Sequence, residues 1–135
     1  DVKPLVSWRY PEARGDATLV GWAGSALFAL YVLFTEPQEF ARYVSVLPNI
    51  WWDDYALNGY EADFGERLGD TEVRLFLAGG GVATSPGTPG IVALAGRLEA
   101  DRHPNLAFSH HMFRPEEHGD MLYQGVHRGL RRVFR

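Results

Sequence analysis

At 135 residues, 46% hydrophobic and 13% aromatic, the chain has enough apolar material for one packed core. A net charge of −4 argues against an electrostatic footprint for nucleic acid or an anionic membrane, and the locally basic "RGLRRVFR" at 128–135 reads as a helix end whose cations oppose the macrodipole. With no cysteine, a disulfide framework, thiolate catalysis and Cys-type metal sites are excluded.

In chain order, "ATLVG" (17–21) reads as a strand and "GSALFALYVLF" (24–34) as a buried helix. A second strand, "YVSVL" (43–47), precedes an amphipathic helix over 55–68, "YALNGYEADFGERL". A third strand, "EVRLFLA" (72–78), enters the loop "GGGVATSPGTPG" (79–90), and a helix over 90–102 follows. The fourth strand is "NLAFSHHMF" (105–113), and a helix over 120–134 closes the chain. Pro37, Pro48, Pro89 and Pro104 fall at the joins, as proline should. Alternation of this kind predicts a three-layer α/β/α architecture with a mainly parallel sheet, in one domain over 1–135. The longest apolar stretch, 23–34, is too short to span a bilayer and has no basic segment before it, so neither a membrane helix nor a signal peptide is expected. A soluble protein, cytoplasmic rather than secreted, is the expectation.

Ligands of such sheets sit outside the carboxyl ends of the strands, so the loops "GWAGS", "PNIWWDD", "GGGVATSPGTPG" and "RPEEHGD" should converge on one rim. The first has the spacing of a nucleophile elbow. Small residues at Gly21 and Ser25 bracket Ala23, which would stand at the apex with no reactive group.

The pattern "LVGWAGSALFALYVLFTEPQEFARYVSVLPNIWWDDYAL", with "EEHGDMLYQGVHRGLRRVF" much later, resembles the C-terminal half of the esterase family of α/β-hydrolases that contains esterase D and the ferric-enterobactin esterases. That family reads Gly-His-Ser-x-Gly-Gly-Leu-Phe-Ala-Leu at its elbow, Ser-Pro-Ser-x-Trp-Trp after the next strand, and His-Gly before a last helix. The resemblance puts the family's nucleophilic serine on Ala23, the preceding histidine on Trp22, and the general base on His118 ahead of Gly119. It implies substrate contacts at Trp22, Gly24, Trp51 and Trp52, with core packing of one tryptophan an equal alternative. It implies no cofactor and no metal.

The loop after the third strand carries no Asp or Glu for the family's acid. Centring the elbow on Ser25 would put Leu27 where a small residue is needed, so Ser25 reads as a packing or capping residue. Other chemistries are weaker. "GGG" at 79–81 lacks both a G-x-G-x-x-G frame and a P-loop lysine. His110 and His111 are adjacent on a strand and should point to opposite faces, and Asp53 and Asp54 read as helix caps. The resemblance also implies further N-terminal strands, which carry part of the oxyanion hole and pair with strand 17–21. That edge is expected to be covered by a second copy of the chain, by a separate N-terminal half, or by local rearrangement. Two functions follow: a carboxylic ester hydrolase-like domain acting on a small-molecule ester, impaired or inactive because of Ala23, or a non-catalytic binding or assembly module on the same scaffold.

Overall fold

The four apolar runs pair side by side and all parallel, in the order β1 (Thr18–Trp22), β2 (Arg42–Val46), β3 (Val73–Gly80) and β4 (Leu106–Phe113). The structure is a computed structural model, which describes residues 2–13, 15–80, 87–114 and 120–135. Trp22 stands opposite Val46, Val46 opposite Ala78, and Ala78 opposite His111, so the carboxyl ends of the strands share one rim.

Successive strand residues point to opposite faces, and both faces of this sheet are covered. On one side Tyr43, Leu75 and Leu77 pack with Leu30, Leu33 and Phe34 of helix α2 (Gly24–Thr35) and with Ile91, Leu94 and Leu98 of α6 (Gly87–Asp101). On the other, Val44, Val46, Phe76 and Ala78 meet Met121 and Val133 of α7 (Met121–Val133). The α7 helix lies close because it presents glycines to the sheet. A Cβ on Gly125 would come within 2.5 Å of Val46 Cγ1, and one on Gly129 within 2.4 Å of Val44 Cγ1. The three-layer α/β/α architecture is therefore present.

The helix expected over 55–68 is broken. Its apolar positions Leu57, Phe64 and Leu68 are buried at helical spacing, but the backbone runs as α3 (Trp52–Tyr55), α4 (Leu57–Ala62) and α5 (Phe64–Leu68). Asp63, with φ −101° and ψ 11°, interrupts the last two. The pieces are pinned by Glu61, a buried carboxylate that accepts from Arg97 of α6 at 2.6–3.0 Å. Those bonds hold the Arg97 guanidinium above its ordinary pKa.

Helix α1 (Val2–Arg9) was not expected from the sequence: it buries no residue, so no apolar periodicity announces it. Among the described residues β1 pairs only with β2, and Val20 on it is exposed. Leu5 and Trp8 of α1 are exposed to 62% and 74%. Among the described residues no helix is long and apolar enough to cross a membrane.

Burial pushes the Tyr43 phenol well above the ordinary tyrosine range, and its hydroxyl donates to Pro37 O at 3.2 Å. With the folded pKa raised, the stabilisation is whole below the ordinary value of 10.0 and declines as pH rises past it, because the unfolded chain ionises first. Tyr43→Phe should cost about 1 kcal/mol at neutral pH through the lost hydrogen bond. Urea denaturation at stepped pH should find the gap between the two proteins narrowing above pH 10; a gap independent of pH would count against it.

Candidate functional site

The turn at the end of β1 has the form its spacing requires. Ala23 sits between β1 and α2 with φ 53° and ψ −113°, a conformation that costs a non-glycine residue about 1–3 kcal/mol and persists only when its surroundings impose it. Several bonds impose it. The Ala23 N–H donates to Val46 O at 3.0 Å, and Ala23 O accepts from the N–H groups of Leu27 at 3.1 Å and Asn49 at 3.4 Å. Ser25 Oγ accepts from the Trp22 N–H at 2.9 Å and donates to Trp22 O at 2.8 Å. The Ser25 hydroxyl thus locks the turn on both sides. Gly21 is buried, and a Cβ on it would lie 2.3 Å from Ser25 O, so the strand can meet the helix only through glycine.

Positive φ recurs along the rim, at Leu47 (53°) just after β2 and at Gly80 (94°) ending β3.

Beside the elbow lies an apolar pocket of about 340 Å³. Leu27, Phe28 and Tyr31 of α2 form one wall, and Trp52 and Tyr60 another; Gly24 and Asn49 complete it on the side of Ala23. Tyr31 and Tyr60 meet edge to face at 5.0 Å. Phe28 and Trp52 remain 56% and 58% exposed, an aromatic surface of the kind that marks ligand or partner sites.

Among the residues singled out from the sequence, Gly24 and Trp52 line this pocket, immediately beside Ala23. Trp22 and Trp51 lie outside it. The Trp22 ring is half-buried against the cluster under α7, and Trp51 abuts Gly87, where a Cβ would be 3.2 Å from its Cδ1. His118 and Gly119 lie outside the described residues, as do residues 81–86 of the acid-free loop. Asp53 and Asp54 do not cap a helix: both are left-handed, at φ 50° and 51°, and no side-chain cap bond is formed. Tyr55 continues the left-handed run at φ 62°. This reversal follows Trp52 directly, and aspartate tolerates it better than most residues. Sequence reasoning missed Phe28, Tyr31 and Tyr60, although Phe28 and Tyr31 are large apolar residues off the buried face of α2 and could have been noticed for that.

Among known proteins, the chain is similar to a siderophore triacetylfusarinine C esterase of Aspergillus fumigatus, 37% identical over 57 residues, covering 42% of this chain and 20% of that protein. It is likewise similar to a siderophore enterobactin esterase of Emericella nidulans, 31% identical over 86 residues, covering 62% of this chain and 24% of that one. Among solved structures, the BES protein from Bacillus cereus superposes with a TM-score of 0.90 at 27% identity, over 98% of this chain and 50% of its own. No family model matches. The matches span about a fifth to a quarter of the curated relatives, and the chain spans half of that solved structure. In sequence and fold the chain is thus similar to esterases of the α/β-hydrolase type.

Proposed function

For a chain that is ester-hydrolase-like in sequence and fold, we propose that ester ligands are bound beside the elbow but not opened by a serine, because a methyl group occupies the nucleophile's place at Ala23. The observation that carries this is the conformation of Ala23 itself. Alanine gains nothing chemical from an imposed φ of 53°, whereas a nucleophile at that apex would be held clear of the helix and next to the Gly24 N–H. His118 is proposed as the family's general base, and Gly24 and Trp52 as ligand contacts. The ligand is an ester with an apolar or aromatic portion, of the siderophore kind for which the relatives are named, because the pocket wall is aromatic and uncharged.

The test separates binding from turnover. Titrating a 4-nitrophenyl ester into the purified chain should quench tryptophan fluorescence saturably without releasing nitrophenol above background. Trp52→Ala should weaken that binding about tenfold, the loss of one aromatic contact. Catalytic nitrophenol release by the unmodified chain, or an affinity indifferent to Trp52→Ala, would refute the proposal.

A second reading, an assembly module, is favoured by the unpaired edge of β1 and the exposed apolar residues of α1. A second copy or a separate N-terminal half would cover both. Analytical ultracentrifugation should then find species heavier than the 15.1 kDa chain, whether alone or mixed with such a half; a monomer in both cases would exclude this reading.

A further inference from the structure

The basic C-terminal stretch does more than end a helix. Arg128, Arg131, Arg132 and Arg135 recur at i, i+3, i+4 and i+7, one stripe of α7 and its extension, and residues 121–135 contain no acidic side chain. Like charges at this spacing repel one another, and compensation of the helix dipole concerns only the last turn, which holds Arg131 and Arg132. Arg128 lies before it. Among the described residues none of these four guanidinium groups forms an ion pair, in a chain whose net charge is −4.

The stripe faces a concavity. Because Gly125 and Gly129 seat α7 directly on the sheet, the arginines and His127 border a cleft of about 360 Å³ whose far wall is His110 and His111 of β4. Phe76, itself buried, forms part of the lining. Strand alternation turns the His110 ring to the α6 face, where it bonds Glu99 Oε1 at 2.9 Å, and puts the His111 ring, edge to face with Phe113, on the α7 face with the arginines. This cleft lies at the β4 edge of the sheet, whereas the elbow follows β1 at the other edge, so the two sites are independent.

We propose that the β4–α7 cleft binds a small phosphate-bearing anion, such as a diphosphate group, held by guanidinium forks on its non-bridging oxygens. Arginine rather than lysine supplies all four cations, and only the guanidinium offers two parallel N–H donors to one phosphate. Converging positive charge in a concave wall raises the local anion concentration, although the chain as a whole repels anions.

Pyrophosphate, inorganic phosphate, citrate and a short DNA duplex should each be titrated calorimetrically into the full chain at constant ionic strength. The expected result is saturable binding, tightest for pyrophosphate, that falls tenfold or more in Arg128→Gln/Arg132→Gln. Arg128→Lys/Arg132→Lys keeps the charge and removes the forks, and it should also lose several-fold; circular dichroism melts would verify that both variants fold. Absence of saturable binding, equal affinity in the Gln variant, or full affinity in the Lys variant would overturn the site. Citrate binding as tightly as pyrophosphate would overturn the phosphate assignment, and binding of the duplex alone would make the stripe a polyanion-tracking surface instead.

Discussion

Replacing Gly21 with alanine should cost about 3 kcal/mol or more of folding stability, the upper range for an overpacked position. The new Cβ would stand 2.3 Å from Ser25 O and 2.5 Å from Ala26 N, both backbone atoms at the start of α2. Flexible side chains can rotate away from such a clash. Here either β1 must separate from α2 or the Ser25 lock on Trp22 must open, and the strained φ of Ala23 depends on both. For a domain of this size the melting temperature should fall by about 10 °C. Gly24→Ala supplies the internal control. A Cβ there meets nothing within 4 Å, and alanine is the better helix former, so stability should be unchanged or slightly higher. Thermal denaturation of the three proteins decides it; similar melting of Gly21→Ala and the unmodified chain would mean that the turn is not built on close backbone approach.

Ala23→Ser should create ester turnover from essentially none, yet leave it at least about a hundredfold below that of an intact serine esterase. The gain is expected because the elbow already presents position 23 beside the first N–H of α2, and nucleophile and base act as a unit. The shortfall has two causes. The loop after β3 carries no Asp or Glu in its sequence to orient the proposed base His118, and in the proposed likeness to esterases a second oxyanion donor would come from strands other than the four seen here. Loss of one such donor alone costs roughly 3 kcal/mol of transition-state stabilisation, about a hundredfold in rate. Nitrophenyl ester hydrolysis by Ala23→Ser and by Ala23→Ser/His118→Ala should show the small activity disappear with the histidine. Activity of the double variant equal to that of Ala23→Ser would remove His118 from the site. Full-strength turnover by Ala23→Ser would mean that the chain is a working esterase altered at one position.

Much of this arrangement was legible because it is written in local chemistry. The four strands are apolar runs bounded by proline and glycine, and their observed limits lie within two residues of the expected ones. The elbow was legible from Gly21 and Ser25, since small residues at that spacing serve one geometry. What the sequence hid depends on tertiary context. Leu57, Phe64 and Leu68 keep helical spacing, so nothing local revealed that the backbone between Trp52 and Leu68 breaks into three pieces. Asp53 and Asp54 look like caps because aspartate favours caps and left-handed turns alike, and the sequence does not say which of the two the backbone takes. The pocket was partly hidden for the same reason. Tyr60 lies far from Phe28 in sequence and reaches the same wall only because α4 folds back against α2.

The most direct test is labelling with a fluorophosphonate, which phosphonylates an activated serine, followed by peptide mass spectrometry. If Ala23 fills the nucleophile's place and the Ser25 hydroxyl is occupied in bracing Trp22, the unmodified chain should carry no adduct, and Ala23→Ser should carry one at position 23. An adduct on Ser25 of the unmodified chain, or an Ala23→Ser protein that stays unlabelled, would contradict it.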